Sequence, residues 1–268
     1  MTQKRTTTAA LLLLLAGTGC AASAQEPAPD LTDNSGGAEA AAIESAEQLV
    51  RAMHDRYADS WYRTLFFKQT VIRTPPEGEP PPDEVWTEYM TLPGQLRIDL
   101  TDGYNGSGAI FRGDSTYVFR NGALAVVRDQ RNALLVLGFD VYAQEPEVTL
   151  EILGGIGFDL SVLRSDTWQG RPAWVVGAAE GDLTTPQFWI DAERLLFTRL
   201  IQPSPNGAGI SDIRFDDYEP LAGGWIAPTV VFLTDGRETL REEYFDVEAN
   251  PDLDPALYDP EAWGPPAG

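Results

Sequence analysis

Leu96-Arg97-Ile98-Asp99-Leu100 is the stretch from which the fold can be read. Apolar and charged residues alternate strictly in it. In extended chain this turns Leu96, Ile98 and Leu100 to one side and Arg97 and Asp99 to the other. The stretch reads as a strand with one greasy face and one charged face. The same period of two recurs outward in both directions, at 62–73, 85–92, 108–112, 116–120 and 123–128. Beyond residue 155 it returns at 159–167, 172–179, 187–191, 195–202, 211–218, 225–233 and 239–247. Asn121-Gly122 and Asp235-Gly236 are strong hairpin turns, because both favour the positive φ that a tight turn needs. The Pro-rich stretch 74–83 reads as stiff, extended chain at a hairpin tip.

Before Trp61 the period is different. Ile43, Ala46, Val50, Met53 and Tyr57 recur at steps of three and four, one stripe of an amphipathic helix over about 38–59. Glu39, Glu44 and Glu47 favour the positive N-terminal end of its dipole. A second helical stretch is expected over 132–154, where Ala133-Leu134-Leu135-Val136-Leu137 and Val148-Thr149-Leu150-Glu151-Ile152-Leu153 flank Pro146. About a dozen strands with so little helix imply a mostly β protein built on one large curved antiparallel sheet. A flat sheet of that size would expose a whole face and both edges, so it should curl into an incomplete β-barrel. The N-terminal helix and the short inserted helices are the segments it can wrap around.

The chain has 41 Asp and Glu against 19 Lys and Arg, a net charge of −22. Phosphate backbones would repel such a surface, which excludes nucleic acid as a partner, and anionic lipid would repel it too. With one His and one Cys, no His-rich zinc site can be built, and His54 is the only imidazole base. Gly154-Gly155-x-Gly157 is neither a dinucleotide fingerprint nor a phosphate loop, and Gly106-Ser107-Gly108 lacks the spacing of a nucleophile elbow. Acids cluster at Asp212-Asp216-Asp217, Glu242-Glu243-Asp246 and Asp252-Asp254-Asp259, as 41 acids in 268 residues will do by chance. No catalytic, cofactor or metal motif emerges, and the chain reads as a non-enzyme.

Residues 1–24 read as a secretory signal peptide: Lys4 and Arg5, then the apolar run from Ala9 to Ala16, then small residues. The run is about half of what a bilayer crossing requires. Two ends compete. Ala22-Ser23-Ala24 fits ordinary cleavage, with a soluble protein starting at Gln25. Leu15-Ala16-Gly17-Thr18-Gly19-Cys20 instead resembles a lipoprotein signal, in which Cys20 is lipidated and anchors the chain to a membrane. Residues 25–38 form a flexible acidic linker, 39–263 the half-barrel domain and 264–268 a tail. With a single Cys no intrachain disulfide forms, so packing alone must hold the fold.

Seven Trp, eleven Phe and nine Tyr form an aromatic surplus large enough to line an apolar concavity as well as a core. Several short stretches also match a known family. They are Phe67-Lys68-Gln69, Leu92-Pro93-Gly94-Gln95-Leu96-Arg97, Phe188-Trp189-Ile190-Asp191, and Gly223-Gly224-Trp225-Ile226-Ala227-Pro228. Val247 to Pro255 with Tyr258-Asp259-Pro260 closes the set. In this order they resemble the bacterial outer-membrane lipoprotein-sorting family, the LolA/LolB-like half-barrels that include periplasmic sensor domains. The resemblance implies an incomplete barrel around helices whose concave face accepts acyl chains. Leu92 stands where carrier members often have a basic residue.

The expected site is therefore an apolar cavity lined by Trp86, Met90, Leu96, Ile98, Leu100, Trp174, Phe188 and Ile190. Its expected occupants are lipid or lipoprotein acyl chains, with no cofactor, in the periplasm or at the cell-envelope membrane. The alternative is a sensor or interaction module of the same fold with an envelope protein as partner. An open apolar cavity favours lipid binding, a filled one favours the interaction module, and two facing buried carboxylates would favour an acid-pair hydrolase.

Overall fold

A computed structural model describes residues 43–204, 207 and 209–266. Cys20, both cleavage sites and the 25–38 linker lie outside the described residues. The first helix, α1 (Ala46–Tyr57), starts where the Ser45 hydroxyl accepts a hydrogen bond from the Gln48 amide. It turns Leu49, Val50, Met53 and Tyr57 inward. It starts later than expected, residues 43–45 lying ahead of it, and ends two residues before the expected boundary, because the Ser60 and Trp61 amides both fold back onto the Tyr57 carbonyl.

Six strands follow as an antiparallel meander: β1 (Thr64–Arg73), β2 (Glu84–Thr91), β3 (Gln95–Asp99), β4 (Gly108–Arg112), β5 (Ser115–Arg120) and β6 (Ala123–Asp129). Then come α2 (Ala133–Gly138), a 3-10 turn at Asp140–Tyr142 and α3 (Pro146–Gly155). The second half comprises β7 (Leu163–Trp168), β8 (Arg171–Val176), β9 (Gln187–Asp191), β10 (Phe197–Pro203), β11 (Ile210–Asp216), β12 (Glu219–Leu221), β13 (Gly224–Ile226), β14 (Thr229–Thr234) and β15 (Arg237–Ala249). Thirteen of these form one antiparallel sheet in the order β6-β5-β4-β3-β2-β1-β15-β14-β11-β10-β9-β8-β7. The two halves meet where β1 pairs with the last strand, Leu65 opposite Ala249 and Val71 opposite Glu242. The sheet is not closed. Its edges are β6 and β7, which makes it the incomplete barrel expected from the strand count.

Three expected elements come out differently. The helical stretch 132–154 is broken into three pieces. The Asn132 side chain caps α2, and Pro146, which has no amide hydrogen to donate, opens α3. The strand expected at 225–233 is split at Ala227-Pro228. Its first part pairs only with β12, in a separate two-stranded ribbon. The strand expected from 159 begins at Leu163, because the Asp159 carboxylate accepts from both the amide and the hydroxyl of Ser161 and holds that turn out of the sheet.

Candidate functional site

Register decides which side chains share the inner face. Met90 lies opposite Leu65 and Leu96, and Ile98 opposite Glu88. Across the other half, Phe188 lies opposite Leu200 and Val176, and Ile190 opposite Phe197 and Trp174. Trp86, Met90, Leu96, Phe188 and Ile190 are buried in one apolar cluster with residues of all three helices, and Ile98, Leu100 and Trp174 pack against it half-buried. All eight residues named from period two thus lie on the same face, the one the helices cover.

The cover is uneven. Toward β8–β14 the inner face is filled: Val176, Phe188, Ile190, Leu200, Ile213 and Phe232 are all buried. An aromatic knot of Trp61 stacked on Tyr142 at 4.0 Å, with Tyr57 edge-on to both, seals this half. Toward β3–β6, Ile98, Leu100, Phe111 and Val126 remain partly exposed. Register joins Ile98 and Val126 into one strip through buried Ala109 and Val118, since Ile98 faces Ala109, Ala109 faces Val118 and Val118 faces Val126.

Beside that strip the inner face carries polar groups. Glu88 pairs with Phe67 and Ile98, Gln69 with Trp86 and Tyr244, and Glu242 with Val71. Gln69 is fully buried, and neither its Oε1 nor its Nε2 has a hydrogen-bond partner. Burial pushes the Glu88 carboxyl well above the usual carboxylate range, with the nearby Glu242 adding to the rise. Burial also pushes Glu242 up to about 8, against the weaker pull of the Gln69 amide and Arg73. Arg73, at the same end of the face, is 3.5 Å from Glu84 and lies over the Trp86 ring.

No protein-family model matches the sequence, and no curated protein matches it. Solved structures do. A LolA superfamily protein from Nitrosomonas europaea aligns over 82% of this chain and 99% of its own, at 11% identity and a TM-score of 0.50. A DUF1329 family protein from Desulfovibrio piger aligns over 82% and 98%, at 12% identity and a TM-score of 0.53. A domain named for outer membrane lipoprotein sorting, from Vibrio parahaemolyticus, aligns over 80% and 96%, at 11% identity and a TM-score of 0.51. The chain shares its fold with these solved structures, a LolA superfamily protein among them.

In this LolA-type half-barrel the outer face holds a correction to the sequence reading. The charged side of β3 does not face water. Arg97 and Asp99 are both buried and form a two-pronged ion pair, Nε to Oδ2 at 3.1 Å and Nη2 to Oδ1 at 3.0 Å. The C-terminal segment crosses over them. Trp263 lies 4.4 Å above the Arg97 guanidinium and stacks on Phe119, and Arg97 Nη2 donates to the Gly264 carbonyl. Gly108 makes room for this lid, since a Cβ there would stand 2.7 Å from the Trp263 ring and 2.1 Å from a backbone oxygen. On β7–β11 the outer face carries a ladder of alternating Arg and Trp. Arg199 sits 4.3 Å from Trp168 and 5.1 Å from Trp189, and is tied by two hydrogen bonds of 2.8 Å to Asp212.

The acid clusters noted in the sequence are thereby accounted for in part. Asp212 is held by Arg199 and Arg214, and Asp254 and Asp259 cap the C-terminal 3-10 turns. His54 makes only a local contact, 3.1 Å to Asp55. A cleft of about 50 Å³ beside Trp168, Arg171, Asp191 and Asp216 is far smaller than the roughly 300 Å³ at which small-molecule sites begin. Glu88 and Gln69 were missed, although a signal existed. Glu88 stands midway between Trp86 and Met90, so the alternation that turned those two inward turned it inward as well. Glu88 and Glu242 are two buried carboxyls on one face, the feature set out above as favouring an acid-pair hydrolase, and burial drives both upward.

Proposed function

We propose that this protein binds apolar chains of a lipid or lipoprotein on the inner face of its half-barrel, in the bacterial cell envelope, and performs no chemistry on them. The observation that carries this reading is the partly exposed strip Ile98, Leu100, Phe111 and Val126 beside an otherwise filled interior. The solved structures of the same fold include a domain named for outer membrane lipoprotein sorting, which favours the same ligand class. Each buried methylene contributes about 0.8 kcal/mol. Ten of them give a gross term of roughly 8 kcal/mol before the costs of ordering the chain and opening the site. The eight inner-face residues named from the sequence line or back the proposed site, and no cofactor takes part.

The signal-like residues 1–24 support a location in the periplasm, or on the envelope membrane if Cys20 is lipidated. A second reading rests on the filled half of the interior. Where the chain's own aromatic side chains occupy the face, the fold serves as a sensor or interaction module for an envelope protein.

A fluorescent fatty-acid probe tests the first reading. Ile98→Glu, with unchanged circular dichroism, is expected to abolish probe binding. Phe245→Ser, an exposed position on the opposite face, should leave it intact. Equal binding by wild type and Ile98→Glu would sink the acyl reading and leave the interaction module.

A further inference from the structure

Two carboxyls and an amide lie on adjacent strands of the inner face, with the Gln69 amide beside Glu242. Gln69 is fully buried with both amide atoms unpaired, and Glu88 is 6% exposed. Their registers place them on one face around Gln69: Gln69 on β1 stands between Trp86 and Tyr244, Glu88 is two residues along β2 from Trp86, and Glu242 is two residues along β15 from Tyr244. A native interior rarely leaves polar groups in this state, because each unpaired group forfeits its hydration. The nearest cation, Arg73, is engaged with Glu84 and the Trp86 ring. The two carboxyls therefore have only the weak pull of the Gln69 amide and of Arg73 to offset their burial.

The partly exposed apolar strip starts at Ile98, whose register partner is Glu88 itself. A ligand with its chain on that strip has its end group at the polar cluster. We propose that Glu88, Gln69 and Glu242 form a subsite for a primary ammonium group carried on an apolar chain, so that the half-barrel selects cationic amphiphiles. This rests on the apolar-chain reading above. An ammonium offers three donors and no acceptor, matching three acceptor groups on three neighbouring strands. A bound cation also offsets the cost of burying two acids together, the cost that drives both carboxyls upward. Phe67, Trp86 and Tyr244 border the subsite, and aromatic faces attract cations. A phosphate or carboxylate at the same place would meet two acids.

Decylamine, decanol and decanoic acid are titrated by calorimetry at pH 7 into wild type and into the Glu88→Gln/Glu242→Gln double variant. Wild type is expected to bind decylamine at least tenfold more tightly than decanol, and decanoic acid most weakly. The double variant should lose the preference for the amine over the alcohol. It keeps nearly all of the acidic surface, so an amine preference that persists in it arises from net charge and overturns the subsite. Equal affinities for amine and alcohol in wild type overturn it too, while the apolar-chain reading stands. If none of the three binds, both fail.

Discussion

Arg97 and Asp99 show how far one residue's surroundings can depart from its chemistry. Each is charged, each is buried, and each is the other's main partner under the Trp263 ring. Burial pushes the Asp99 carboxyl up, and the Arg97 guanidinium works against that rise. Removing the cation leaves an uncompensated buried acid. Arg97→Ala should cost about 3–5 kcal/mol in urea unfolding, and Arg97→Met/Asp99→Leu, which replaces both charges with apolar groups, should cost less. Glu242 makes the opposite case, an acid that the fold would rather keep neutral. Its pKa rises from 4.5 in the unfolded chain to about 8, so the folded state retains a proton that the unfolded state releases. Its contribution to stability therefore falls as pH climbs through that window. Glu242→Gln removes the effect. The variant should match wild type near pH 4 and exceed it at pH 9 by about 3–5 kcal/mol, at roughly 1.4 kcal/mol per pH unit. Parallel stability curves for the two proteins across that range would refute it.

Among the elements, β2 was the most legible. Its alternation puts Trp86, Glu88 and Met90 on one face, and the structure keeps them there. Period two is a local property of extended backbone, so it survives whatever the strand packs against. The elements that went wrong are those whose boundaries depend on particular caps or breaks. The region 132–154 looked like one helix because its apolar residues are continuous, but Asn132 and Pro146 each start a new piece. The C-terminal segment had no periodic signal at all. Its apolar residues Leu253, Leu257, Tyr258 and Trp263 acquire meaning only against the outer face, where they pack on Ile110 and Phe119. Trp263→Ala should therefore cost about 3 kcal/mol and increase binding of an apolar dye, since Phe119 and the Arg97 pair lose their cover. An unchanged melting temperature would show that the segment merely rests on the sheet.

For the whole molecule, location is a separate matter from fold, and it turns on the segment before residue 43. If Cys20 is the lipidated end, Cys20→Ala should move the protein from the membrane to the soluble periplasmic fraction. Wild type already soluble and starting at Gln25 would decide for ordinary cleavage. The fold class, most of the strands and the residues of the greasy face followed from sequence alone. Leu96, Ile98 and Leu100 must share a side wherever their strand goes, and a dozen such strands must make a large sheet. Sequence also argued against nucleic acid, because −22 of net charge is a property of composition. Only the tertiary structure decided that β1 pairs with β15, that the charged face of β3 is buried under the C-terminal segment, and that Glu88, Gln69 and Glu242 come together on the inner face. These are contacts between residues far apart in the chain. Periodicity tells which way a side chain points, whereas its neighbour depends on how strands order themselves in the sheet, and no local pattern carries that order.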